Sequence, residues 1–142
     1  LKEDFPSWLY QVKKGATTIW EHWDSYTKEK GFGGQNAMNS FNHYSLGSVL
    51  SWLYHTGLGI QRDETKPGYQ HILLKPQPGP LEFMKGSVDS PYGVISAGWE
   101  RKGDKIEYQV TIPVNTMATL FKNTEDPADT VELGSGTYTF ML

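Results

Sequence analysis

The chain has 142 residues, with 13 Lys+Arg against 16 Asp+Glu, a formal net charge of -3 and no cysteine. That balance gives no electrostatic grip on nucleic acid, and the missing thiols remove disulfides, thiolate metal sites and cysteine nucleophiles. No apolar run reaches the roughly 20 residues of a membrane-spanning helix, and the length suits one domain or a small domain joined to a remnant of another.

The sequence opens at Leu1, not Met, so the expectation is an N-terminus cut from a longer protein; no localisation signal can be read. Asp4 to Lys14 reads as the last turns of a helix. Pro6 suits a first turn, Lys13 and Lys14 suit the negative end of the dipole, and Gly15 suits the left-handed residue that follows. The helix delivers the chain into Gly15-Ala-Thr-Thr-Ile-Trp-Glu-His-Trp-Asp24, where Glu21 is flanked by the indoles of Trp20 and Trp23. Carbohydrate chemistry asks for such a set, because rings pack on the apolar faces of sugars while a partly desolvated carboxylate moves protons. The plainer reading is a buried Trp pair beside a solvated Glu. Thr17, Thr18 and Ile19 lower helix propensity, so Thr17 to Trp20 is expected to be extended or a tight turn with Glu21 near a rim. Lys28 to Gly34 reads as a flexible loop close enough to cover a site; no lysine-Ser/Thr pair follows its glycines, which argues against a phosphate cradle.

Asn39 to Thr56 has the length of a helix, with Asn39 or Ser40 as cap. Its apolar residues fall on most of the circumference, which predicts a buried helix, ended by Gly57 and Gly59. From Pro67 the grammar changes to short runs, Tyr69–Lys75, Leu81–Val88, Gly93–Arg101, Lys105–Ile112, Met117–Lys122 and Thr137–Leu142. Pro76, Pro78, Gly79 and Pro80 interrupt them, Lys102-Gly-Asp-Lys105 signals a hairpin, Asp89 to Gly93 reads as a turn, and Asn123 to Pro127 is a polar connection. Five to seven short antiparallel strands read as a β-sandwich. The boundary falls near Gly59 to Pro67, dividing the chain into 1–62 and 63–142. His22, His55 and His71 stand alone, so neither a metal site nor a cofactor is expected, and Ser45, Ser48 and Ser51 lack the glycine-flanked elbow of a serine hydrolase.

Five motifs carry a resemblance: residues 15–21 with Trp23-Asp24, Met-Asn-Ser-Phe-Asn-His-Tyr at 38–44, Pro-Gly-Tyr at 67–69, Pro-Gln-Pro-Gly at 76–79 and Ser-Pro-Tyr-Gly at 90–93. In this order and spacing the chain resembles the C-terminal part of bacterial α-L-rhamnosidases of glycoside hydrolase family 78. The resemblance implies an α+β fragment, in which the terminal helices of an (α/α)6 barrel are followed by an antiparallel β-sandwich. It implies further that Glu21 is the general base of an inverting mechanism and that His43 contacts the rhamnose. Trp20 and Trp23 are expected to split, one walling the sugar pocket and one in the core. Position 22 departs from the pattern, with His where Arg is often found, and Lys28 to Gln35 has no place on it.

An inverting glycosidase needs a second carboxyl group roughly 6.5–9.5 Å from the base to protonate the leaving oxygen. In the family that acid lies upstream, and no motif here matches it. The implied partners are therefore carbohydrate, as rhamnosides, and the upstream part of the same catalytic domain, with the isolated chain expected to be inactive. Trp8, Leu9, Phe41, Leu50, Trp52 and Leu53 need cover from the sandwich, a homo-oligomer or upstream sequence. The rivals are a non-catalytic carbohydrate-binding or structural β-sandwich module, and a neighbouring (α/α)6 family acting on another deoxysugar.

Overall fold

The computed structural model describes residues 4–32, 38–123 and 126–142, and the chain divides into two compact units, Leu1–Leu50 and Ser51–Leu142. Helix α1 spans Trp8–Lys13 in the first unit. Ser7 caps it, its Oγ accepting the Tyr10 N–H, so Pro6 precedes the cap instead of occupying the first turn. At the other end the Gly15 N–H donates to the Val12 carbonyl at 2.9 Å and the Ala16 N–H to the Gln11 carbonyl at 3.0 Å. This is the paired closure that a left-handed residue permits, and Gly15 supplies it with φ of 80°.

The helix expected over 39–56 forms only from Leu46: a 3₁₀ turn (Leu46–Ser48), α2 (Val49–Trp52) and a π turn (Leu53–Gly57). Tertiary bonds override the local signal, because the backbone between Ser40 and His43 pairs with residues 18–21. Nor is this helix buried all round: Leu50 and Trp52 are 58% and 50% exposed, whereas Trp8, Leu9, Phe41 and Leu53 are half-buried. Thr27 and Gly31 bond reciprocally at 2.9 and 2.8 Å, closing a tight turn in the stretch read as a flexible loop; Gly33 and Gly34 lie outside the described residues.

The second unit holds eight strands among the described residues: β1 (Ile60–Arg62), β2 (His71–Leu74), β3 (Phe83–Ser90), β4 (Gly93–Lys102), β5 (Lys105–Ile112), β6 (Met117–Phe121), β7 (Thr130–Leu133) and β8 (Gly136–Met141). They form two four-stranded sheets in the orders β1-β2-β6-β7 and β3-β4-β5-β8. Ile106, Tyr108, Val110 and Ile112 point inward on β5, as their alternation predicted, and meet Ile72, Leu74, Ala118 and Leu120 of the other sheet in one core. One pairing departs from the all-antiparallel expectation. β2 and β6 run parallel, with Ile72 opposite Ala118, because the chain crosses to the other sheet for β3 to β5 between them. β1 is antiparallel to β2, so the sheet takes in residues on the N-terminal side of 62/63. At the base of the helix the Trp99 indole donates to the Gly57 carbonyl at 2.9 Å and the Tyr108 hydroxyl to the Leu58 carbonyl at 3.1 Å. Burial pushes the Tyr108 phenol well above its ordinary titration range.

Candidate functional site

Two irregular segments of the first unit, 18–25 and 38–45, are laced together, and the lacing joins the stretch that carries Glu21 to the one that carries His43. Glu21 pairs with Ser40 twice: its N–H donates to the Ser40 carbonyl at 2.9 Å, and its Oε2 accepts the Ser40 N–H at 2.7 Å. Two residues earlier the Ile19 carbonyl accepts the His43 N–H at 2.8 Å, and the Thr18 hydroxyl donates to the Phe41 carbonyl. Buried Ser25 anchors the far side, its Oγ 2.6 Å from Asn39 Oδ1 and accepting the His22 N–H at 3.2 Å.

Glu21 keeps 27% of its side chain exposed, and its second oxygen, Oε1, lies 3.9 Å from His22 Nε2. That His22 nitrogen is also 3.2 Å from the Met38 carbonyl, an acceptor only, so it carries a hydrogen. One carboxylate oxygen is thus fixed by an amide, while the other keeps lone pairs for a water. His43 Nδ1 accepts the Ser45 N–H at 3.2 Å, which puts the hydrogen of the neutral ring on Nε2, and the ring stacks on Tyr44 at 5.1 Å. Trp20 is buried, edge-on to Phe41 at 5.6 Å; Trp23 is half-buried, edge-on to Trp8 at 4.9 Å. Asp24 is exposed. Among the described residues no three His, Cys, Asp or Glu side chains are grouped to hold a metal ion.

Two features escaped the sequence reading. His71 does not stand alone: it is buried, with Asp63 of the β1–β2 connection on one side of its ring and, on the other, Thr119 and the exposed Glu132, which the β2–β6 and β6–β7 pairings bring to it. Outward-facing Lys85, Ser87, Ser96, Gly98, Gln109 and Thr111 of β3, β4 and β5 are among the residues lining an open groove of about 480 Å³.

Residues 1–56 match the family model described as the bacterial alpha-L-rhamnosidase 6 hairpin glycosidase domain, and residues 59–136 match the one described as the bacterial alpha-L-rhamnosidase C-terminal domain. An alpha-L-rhamnosidase of Alteromonas sp. (strain LOR) is 41% identical over 118 residues, covering 82% of this chain and 12% of that protein. Among solved structures, the native α-L-rhamnosidase of Aspergillus terreus superposes with a TM-score of 0.85 at 35% identity, over 100% of this chain and 16% of that one. The Streptomyces avermitilis alpha-L-rhamnosidase complexed with L-rhamnose superposes with a TM-score of 0.79 at 33% identity, over 97% of this chain and 15% of that one. The chain therefore spans only 12–16% of the length of these relatives.

Proposed function

Since the chain belongs to the bacterial α-L-rhamnosidase family, we propose that it is part of an inverting glycoside hydrolase acting on terminal α-L-rhamnosyl residues, with Glu21 as general base. The observation that carries this reading is the double pairing of Glu21 with Ser40, which fixes the carboxylate on the segment that also presents His43. Glu21 Oε1 takes a proton from water as its oxygen attacks the anomeric carbon, while a carboxylic acid outside this chain protonates the departing glycosidic oxygen. The His43 Nε2–H donates to a sugar hydroxyl. Trp23, with ring surface still exposed, packs against the sugar, and buried Trp20 is the core member of the pair.

Residues 1–62 are then the end of the catalytic domain and 63–142 the sandwich, with β1 as the strand through which the first hands over to the second. The exposed apolar surface at Leu50 and Trp52 is assigned to the upstream part of that domain, a homo-oligomer being the other arrangement that would cover it. In a polypeptide carrying the whole catalytic domain, Glu21→Gln should lower turnover of an aryl α-L-rhamnoside by about 10²–10⁴-fold without shifting the melting temperature. Unchanged turnover would remove Glu21 from the role, and NMR detection of α-L-rhamnose as first product would exclude inversion.

The open groove on the β3-β4-β5 face, with hydrogen-bonding side chains of Ser87, Ser96, Gln109 and Thr111 in its lining, favours a second reading, in which the sandwich is a non-catalytic module that holds glycan. Titration of L-rhamnose into the 142-residue chain separates the two: amide shifts at Ser96, Gln109 and Thr111 support the module, and their absence leaves catalysis as the function.

A further inference from the structure

Helix α1 frames the stretch that carries Glu21. Two successive helix residues hold it at both ends: Gln11 Oε1 accepts the Trp20 N–H at 3.3 Å, and the Tyr10 hydroxyl donates to the Tyr26 carbonyl at 3.0 Å. Between those points the Ser25 N–H closes a turn on the His22 carbonyl at 3.3 Å. Gln11 and Ser25 are both buried, so this framing is shielded from water.

The facing segment meets this frame with two adjacent residues that bond in different ways. Ser40 pairs with Glu21 through its main chain, and a main-chain pairing is open to any residue with an N–H, so it does not fix which amide of 38–45 reaches the carboxylate. Asn39 supplies the missing selection with its side chain. Its Oδ1 lies 2.6 Å from Ser25 Oγ, and its Nδ2 donates to the Ser25 carbonyl at 3.4 Å. A carbonyl only accepts, so it selects the amide nitrogen and turns Oδ1 toward the hydroxyl. The Ser25 hydroxyl therefore donates to Asn39, since the other acceptor near it, the His22 carbonyl at 3.0 Å, already takes the Ser25 N–H. The same Oγ accepts the His22 N–H at 3.2 Å.

We propose that Asn39 is a positioning residue for Glu21: by gripping Ser25 it sets the register in which the Ser40 N–H meets Glu21 Oε2. This role presupposes Glu21 as the general base. A slip of one residue would carry the amide about 3.5 Å along the chain, outside hydrogen-bond range of Oε2. With Oε2 released, the carboxylate turns about its side-chain bonds and Oε1 no longer keeps one direction toward the attacking water. Asn39 acts through Ser25 and Ser40, and no contact with the sugar is assigned to it. The Thr18 hydroxyl on the Phe41 carbonyl and the His43 N–H on the Ile19 carbonyl are bonds made without Asn39, so the sugar contact proposed for His43 is left in place.

Steady-state kinetics of a polypeptide carrying the whole catalytic domain, on a fluorogenic aryl α-L-rhamnoside, test this in the parent and in the Glu21→Gln background. Asn39→Ala should lower kcat about tenfold or more while KM stays within about threefold. In the Glu21→Gln background the same change should lower kcat by less than about twofold, because the group it positions is gone. A purely structural loss would repeat in full there. An unchanged kcat in Asn39→Ala, or an equal loss in both backgrounds, overturns the positioning role, while the loss in Glu21→Gln alone keeps Glu21 as base. Full turnover by Glu21→Gln removes the base and, with it, what Asn39 positions. Should Asn39→Ala fail to fold, Ser25→Ala, which deletes the hydroxyl that Asn39 accepts, is read in the same two backgrounds: a loss confined to the parent supports the role, and any other result overturns it.

Discussion

Ser40 meets Glu21 through both its N–H and its carbonyl, so the orientation of the carboxylate depends on a residue whose own side chain takes no part in the pairing. Ser40→Ala should accordingly leave turnover by the full catalytic domain within about twofold, whereas Ser40→Pro, which lacks the N–H, should lower it by at least tenfold; steady-state kinetics on an aryl rhamnoside compares the two. Asp63 offers a test at acid pH. Its folded carboxyl titrates at about 2 against 3.8 for the free group, so its contribution is present above 3.8 and lost as pH falls through about 2. Asp63→Asn should flatten the acid limb of stability in that window, read by urea midpoints. As a candidate, Glu21 was legible because its flanking indoles are adjacent in sequence. Ser40 was not, since nothing local marks a backbone amide as a carboxylate partner, and the His71 cluster was not, since Thr119 stands 48 positions away.

Gly59 is the tightest point among the elements. Its φ is 77°, and a Cβ there would lie 2.2 Å from the Pro76 nitrogen and 2.3 Å from the Lys75 carbonyl carbon, both backbone atoms. Gly59→Ala should cost about 3 kcal/mol or more, measured as a lowered urea midpoint of the sandwich. Tyr108→Phe should cost about 1–3 kcal/mol in the same assay, because it leaves the buried Leu58 carbonyl without its donor. Elements with a strong period were readable: β5 occupies the predicted Lys105–Ile112, its four inward residues alternating with polar ones. β1 and β7 were missed because three and four residues are too few to show alternation. The helix over 39–56 was overextended because Ser40 and His43 spend their backbone N–H groups on residues 18–21, a tertiary competition that local propensity does not register.

At the scale of the molecule, the buried residues that build the sandwich core among the described residues, from Leu58 to Leu133, all belong to the second unit. A piece beginning at Ser51 should therefore melt cooperatively on its own, with the near-ultraviolet dichroism of packed aromatics; a broad, featureless transition would contradict this. The full 142-residue chain should show no turnover of an aryl rhamnoside, because the proposed mechanism draws its general acid from outside this chain.

The parallel union of β2 with β6 also sets an order of events in time. β3, β4 and β5 follow one another with two-residue connections after Ser90 and Lys102, so their contacts are local and can form early. β2 must wait until all three have been made and β6 has emerged. Until then only β1 is within easy reach, and an isolated two-stranded hairpin is marginal in water. During synthesis or refolding, Ile72, Leu73 and Leu74 are thus an apolar edge without its permanent neighbour. That interval, rather than the finished fold, is where this chain is most exposed to aggregation.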